Sequence, residues 1–410
     1  MKHPGALLFL AACLASIPAA QAQIGIGLPE IPAVGDILGQ TAGLGEAVGG
    51  SLQDVRRLRI RDLLRTHRRE LEAGPGGEPI VRGQIVALGA SAAALEGARA
   101  GGFDVVRSDD AGELGAITTV RAPRGMSTRR ALRRLREADP EGSYDFDHLY
   151  LESGAGPVVV ALAQSGASNH GPRIGLIDSG VDAHPSLVGA IATQRAFAGE
   201  TAAPASHGTA IASLLIATTP NARLYVADIY GGAPTGGASS SLARALVWLA
   251  RERTPVINVS LVGSRNRVVE LVVARIVARG LVIVAAVGND GPAAAPLYPA
   301  AYEGVVGVTG VDARERVLIE AGRGAHVDFA APGVVRVARG SETAPVRGTS
   351  YAAPIVAGLL ARRLGAPDPQ GAERALAALR EHARDLGARG RDNVYGHGMV
   401  DARSDAFAAP

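Results

Sequence analysis

Six short apolar runs between residues 173 and 330 most constrain what this 410-residue chain can fold into. They cover residues 173–177, 224–229, 256–261, 281–287, 305–311 and 326–330, and they are rich in Val, Ile, Leu or Ala. Most lack the apolar–polar alternation of a half-exposed strand, so they read as strands buried on both faces of a parallel sheet. Helical patterns at 209–217, 241–253 and 268–279 lie between them. Strand and helix alternating through short links predict a doubly wound, three-layer α/β domain. Such folds place their sites beyond the carboxyl ends of the strands.

Three short signatures fall at those places. They are Asp178-Ser179-Gly180, His207-Gly208-Thr209 and Gly348-Thr349-Ser350-Tyr351-Ala352-Ala353-Pro354. Taken alone, Asp-Ser-Gly is a common turn, and the His signature is weak. The Ser350 run is more specific, because a small-residue turn leads into an apolar helix that still contains Pro354. Together they supply an Asp/His/Ser triad for nucleophilic acyl transfer. A serine hydroxyl needs a base to become a nucleophile. His207 titrates in the right range for that role, and Asp178 would hold its tautomer and stabilise the imidazolium. The tetrahedral oxyanion needs donors already in place. The apolar run before Gly288 ends by presenting Asn289.

These residues resemble the subtilisin-like (subtilase, S8) serine peptidases, in which the triad also runs Asp…His…Ser. The resemblance covers about residues 173–402 and includes the closing segment Gly396-His397-Gly398-Met399-Val400-Asp401-Ala402. The rival hydrolase pattern, Gly-x-Ser-x-Gly with order Ser…Asp…His, does not fit. The resemblance implies that the Asn289 amide and the Ser350 backbone N–H are the oxyanion donors. It also implies that a peptide substrate lies as an added strand beside Ser260, Leu261, Val262 and Gly263. Val262 stands where a glycine usually lines the pocket for the residue before the cut. Gly288 ends the neighbouring strand, and Leu297 replaces another glycine at the pocket floor. Two added aliphatic side chains predict a narrow pocket that accepts Ala, Gly or Ser.

The chain departs from the family pattern in places. The turn from Asp178 to His184-Pro185 is one residue short, and Thr209 continues into Ala210-Ile211-Ala212. The polar loop that often carries a structural calcium is missing between His207 and Leu224. No other acidic cluster has ligand-like spacing, so the expectation is no metal and no cofactor.

Residues 1–22 read as an export signal, with a short basic start, an apolar stretch at 6–17 and Ala20-Gln21-Ala22 as a cleavage site. The apolar run is too short to span a bilayer. Leu10-Ala11-Ala12-Cys13 offers the rival reading of a lipoprotein anchored at Cys13, and the expected location is periplasmic or secreted. Cys13 is also the one cysteine, so no intrachain disulfide forms. Residues 23–78 hold a Gly-rich flexible segment, a basic amphipathic helix at 51–71 and a linker at 73–78. That helix could contact an anionic surface or partner, or pack on its own protein with arginines in solvent.

Residues 79–152 follow a β-α-β-β-α-β pattern. By position this unit resembles a subtilase propeptide of ferredoxin-like α+β type, an intramolecular inhibitor and chaperone. An unrelated α+β appendage is the alternative. Residues 153–172 form a linker with a possible self-cleavage site at Ser153-Gly154-Ala155-Gly156, before the catalytic domain at 173–410. The net charge of +3 is modest, and Lys2 is the one lysine among 42 basic residues. No basic stripe interleaved with aromatics suggests nucleic acid. The reading is a monomeric exported serine endopeptidase made as a zymogen and acting on proteins or peptides. The alternatives are a non-catalytic protein that kept the fold, and a processing protease with one dedicated partner.

Overall fold

The computed structural model describes residues 43–152, 171–339 and 342–401, without side chains for 43–51 and 338–344. The expected signal segment, Cys13, the flexible stretch up to residue 42 and the linker at 153–170 lie outside the described residues. The described chain begins with helix α1 (Gly43–Thr66) and strand β1 (Leu71–Ala73). There follow β2 (Pro79–Leu88), α2 (Ala92–Ala100), β3 (Asp104–Asp109), β4 (Ile117–Arg121), α3 (Thr128–Ala138), β5 (Ser143–His148) and β6 (Leu151–Glu152). Ser91 and Ser127 cap α2 and α3, their hydroxyls accepting the amides of Ala94 and Arg130.

The antiparallel sheet runs β5-β2-β4-β3, and β1 pairs with the first residues of β2. The segment at 73–78, expected to be a linker, is instead the last residue of β1 and the tight turn that leads to β2. Its Gly and Pro content marks a turn, and a strand as short as Leu-Glu-Ala carries too little periodicity to announce itself. Residues Ile85, Val86, Ala87 and Leu88 are all buried. Ile85 and Ala87 pack with Leu132 and Leu135 of α3. Val86 and Leu88 face the other way and join the core of the following domain. The unbroken apolar run therefore reflects a sheet covered on both sides.

The second domain contains β7 (Arg173–Asp178), β8 (Ile191–Ala196), α4 (Ser206–Thr218), β9 (Arg223–Asp228), α5 (Ser239–Arg251), β10 (Val256–Val259) and β11 (Leu261–Val262). It continues with α6 (Arg267–Val277), β12 (Val282–Ala286), β13 (Val306–Val311), β14 (Phe329–Pro332), the hairpin β15 (Val334–Arg339) and β16 (Glu342–Arg347), α7 (Thr349–Ala361) and α8 (Pro369–His382). Seven strands form one parallel sheet, ordered β14-β13-β12-β10-β7-β9-β8. Successive strand residues alternate between two cores. Ile174, Leu176, Val282 and Val284 meet α4 and α7, while Ile177, Ile257, Ile283 and Ala285 meet α5 and α6. The result is the three-layer α/β architecture.

Strand β8 was not legible in the sequence. It lies at the sheet edge, is only partly buried and carries Thr193, Gln194 and Arg195, so it lacks the apolar signature of its neighbours. The chain winds outward from β7 in both directions, toward β9 on one side and β10 on the other. The crevice at that reversal is where the sheet can hold a ligand.

Candidate active site

Asp178 is the last residue of β7 and is fully buried. His207 stands in the first turn of α4, and its Nδ1 lies 2.8 and 3.0 Å from the two carboxylate oxygens of Asp178. Asp178 Oδ1 also accepts the Ser179 backbone N–H at 2.8 Å and the Ser179 hydroxyl at 3.2 Å. The Gly208 N–H in turn donates to Ser179 Oγ at 3.0 Å. Position 208 must be small, because a Cβ there would stand 2.3 Å from the Ser179 carbonyl oxygen. The carboxylate holds the proton on Nδ1 of neutral His207, which leaves Nε2 as the basic atom. Nε2 is buried and makes no hydrogen bond. Burial opposes the charged imidazolium, but Asp178 and then Glu152 outweigh it, so the His207 pKa lies above its ordinary value.

Ser350 is buried in the first turn of α7, at the positive end of the helix dipole. Tyr351 beside it places its ring 5.8 Å from the His207 ring. Two reciprocal hydrogen bonds tie Ser350 to Ser260. The Ser350 hydroxyl donates to the Ser260 carbonyl at 3.1 Å, and the Ser260 hydroxyl donates to the Ser350 carbonyl at 2.8 Å. Pro354 explains why that carbonyl accepts from outside the helix. It sits four residues on and has no N–H to close the helical bond. Asn258 Nδ2 donates to Ser260 Oγ at 3.0 Å and orients it. The positioning roles of the Ser260 side chain and Asn258 were not read from the sequence. The only signal available was Pro354 four residues after Ser350.

Asn289 Oδ1 accepts the Thr349 N–H at 3.1 Å, an arrangement that fixes which end of the amide is the donor. Gly288 takes φ 99° and donates to Thr349 Oγ1 at 3.2 Å. A Cβ on Gly288 would meet Leu297 Cδ1 at 2.6 Å and Val262 Cγ1 at 3.5 Å. Val262 and Leu297 therefore converge over Gly288, 26 residues beyond one and nine before the other in the chain. Gly263 exchanges backbone hydrogen bonds with Tyr298 at 2.9 and 3.0 Å.

A segment from the first domain runs through this crevice. Strand β6 pairs antiparallel with β11, with Glu152 opposite Leu261 and Leu151 opposite Val262. Tyr150 is fully buried, and its ring lies over Gly263. Its N–H donates to the Gly237 carbonyl at 2.8 Å, and its carbonyl accepts the Tyr230 hydroxyl at 3.0 Å. The Tyr150 hydroxyl donates to the Ser264 carbonyl at 3.1 Å and lies 3.3 Å from Tyr302 Oη. Upstream, buried Asp147 accepts from Ser239 Oγ, Ser240 N and Ser240 Oγ at 2.8–2.9 Å, at the N-terminus of α5. Among the described residues, Glu152, Asp178 and His207 form the one cluster whose donor atoms all lie within 4.8 Å of one another. Two of its members are the hydrogen-bonded Asp178–His207 pair, and the third comes from the threaded segment.

Comparison with known proteins bears on the fold and the family. The profile of the Peptidase_S8 subtilase family matches residues 169–398. Subtilisin BL of Lederbergia lenta is 32% identical over 260 residues, which cover 60% of this chain and 94% of that protein. An alkaline protease of Alkalihalobacillus alcalophilus is 31% identical over 60% of this chain, which spans 66% of its length. Fervidolysin from Fervidobacterium pennivorans, a keratinolytic enzyme related to subtilisin, has a similar fold, with a TM-score of 0.67 at 20% identity. The superposition covers 83% of this chain and 63% of that one. Among the described residues, no helix is long and apolar enough to cross a membrane. The chain belongs to the subtilase family of serine-type endopeptidases.

Proposed function

We propose that this protein is an exported serine endopeptidase, made as a zymogen whose first cut is in its own chain after Ser153. The observation that carries this reading is strand β6, which lies along β11 and brings the Glu152 carboxylate against Asp178 and His207. The next residue in sequence is Ser153, a small residue of the kind that a pocket narrowed by Val262 and Leu297 would accept.

In the reaction, His207 Nε2 takes the proton of Ser350 as Oγ turns from the Ser260 carbonyl and attacks the substrate carbonyl carbon. The Asn289 amide and the Ser350 backbone N–H stabilise the oxyanion. Asp178 stabilises the imidazolium, which protonates the leaving amine as the peptide bond breaks. Water, deprotonated by the same imidazole, then hydrolyses the acyl-enzyme and returns the serine. The first domain acts as an intramolecular inhibitor while its strand fills the cleft. Apolar residues Val86, Leu88 and Ile117 on α5 and α6, together with Asp147 at the start of α5, support that role.

The test is intact mass with N-terminal sequencing of wild type beside Ser350→Ala. The expected result is a wild-type chain beginning at Gly154 and an uncut variant. Wild type that stays at full length after signal removal would overturn the zymogen reading.

A further inference from the structure

One ion pair at the cleft edge is not used by the chemistry above. Asp290 follows the oxyanion candidate Asn289, and its carboxylate meets the Arg56 guanidinium. Nε lies 3.1 Å from Oδ2, and Nη1 lies 3.5 Å from Oδ1. The pair bridges 234 residues, and its side chains are only 19% and 15% exposed. Burial pushes the Asp290 carboxyl up, and Arg56 and then Arg59 pull it back. The charge of Arg59 also acts on Glu152, His207 and Tyr230.

The apolar residues next to Arg56 in sequence do not share its burial. Val55 and Leu58, beside Arg56, are 50% and 60% exposed. Leu52 and Ile60, on the same helix face as Arg56, are half-buried, and two turns on Leu63 and Leu64 pack against the cluster of Leu149 and Ala238. The helix also sorts its arginines. Arg57 and Arg65 face solvent and pair within the helix, with Asp54 and Asp62. Arg56 reaches inward to the acid beside the oxyanion position, and Arg59 stands near the acid of the threaded strand.

We propose that Asp290 is a guanidinium-binding site at the edge of the cleft and that Arg56 of α1 fills it, making α1 a second inhibitory ligand beside β6. The proposal rests on the zymogen reading. Once the chain is cut after Ser153, the α1 contact adds to those that β6, Asp147 and the apolar sheet face make with the catalytic domain, and each raises the effective concentration of the others. The guanidinium contact is ionic and near solvent, so salt weakens it.

The test uses the full-length chain as wild type, Arg56→Glu, Arg56→Gln and Arg57→Glu. The enzyme from Gly154 onward is identical in all four, and a delay normalised to each sample's own final activity does not depend on how much enzyme folds. The readout is the delay between cleavage, followed by intact mass, and half-maximal hydrolysis of a peptide ester, at low and high salt. Arg56→Glu is expected to shorten the delay about tenfold at low salt, equivalent to roughly 1.4 kcal/mol. Arg56→Gln should shorten it less, and Arg57→Glu should match wild type. Salt should shorten the delay in wild type and have little effect in Arg56→Glu. Equal delays across the four cut chains would overturn the guanidinium site and leave the zymogen reading intact. Absence of cleavage in every chain would overturn both.

Discussion

Opening the pocket before the cut is the most direct test of how this cleft selects substrates. Val262 and Leu297 meet over Gly288, where a Cβ would already lie 2.6 Å from Leu297. The double change Val262→Gly and Leu297→Gly removes seven side-chain carbons from that spot. In wild type, a Phe before the cut forgoes its burial, worth about 1.5–3 kcal/mol. Forcing it in adds an overpacking cost of about 1–3 kcal/mol. Whichever route is cheaper, Phe is disfavoured by about 1–3 kcal/mol, roughly one to two decades in relative kcat/KM for Phe against Ala. The assay is competitive hydrolysis of a peptide mixture differing only at that residue, with products counted by mass. Wild type should cut after Ala, Ser and Gly, and the double variant should gain cutting after Phe and Leu by a factor on the order of 10 to 100. Efficient wild-type cutting after Phe, Tyr or Leu would refute the argument, because the two side chains would then not close the pocket.

Three further outcomes follow from the threaded strand and its support. Glu152→Gln removes a charge that helps raise the His207 pKa, so the acid limb of the pH–rate profile for self-cleavage should move to lower pH. The sign follows because the base must be neutral. Intact-mass time courses at several pH values measure the shift, and an unmoved limb would sink this account. Tyr150→Phe loses the hydrogen bond to the Ser264 carbonyl inside a fully buried site. It should weaken inhibition by the cut N-terminal region by about 1–2 kcal/mol, seen as earlier release of activity. Ser260→Ala deletes the bond to the Ser350 carbonyl. In the mature enzyme it should lower kcat by about tenfold with little change in KM, at a cost of about 1–1.5 kcal/mol. A rise in KM alone would point to substrate contact instead of positioning.

Much of the architecture was legible because burial on both faces leaves a local mark. The runs at 173–177, 256–261 and 281–287 are apolar at every step or nearly so, and they became β7, β10 and β12 in a parallel sheet. Edge strand β8 left no such mark, since its residues are half-buried or exposed. The hairpin of β15 and β16 was equally silent in the sequence.

The sequence by itself determined the layer architecture, the split β-α-β-β-α-β pattern of the first domain and the positions of Asp178, His207 and Ser350 at strand and helix ends. These follow from periodicity and turn chemistry, which act over a few residues. Only the tertiary structure decided that β6 lies against β11, that Glu152 joins Asp178 and His207, and that Arg56 reaches Asp290. Each of those contacts joins residues far apart in the chain and depends on how two separately folded surfaces meet. No local pattern encodes that choice, because Glu152 and Arg56 would look the same in sequence whether they faced the cleft or the solvent.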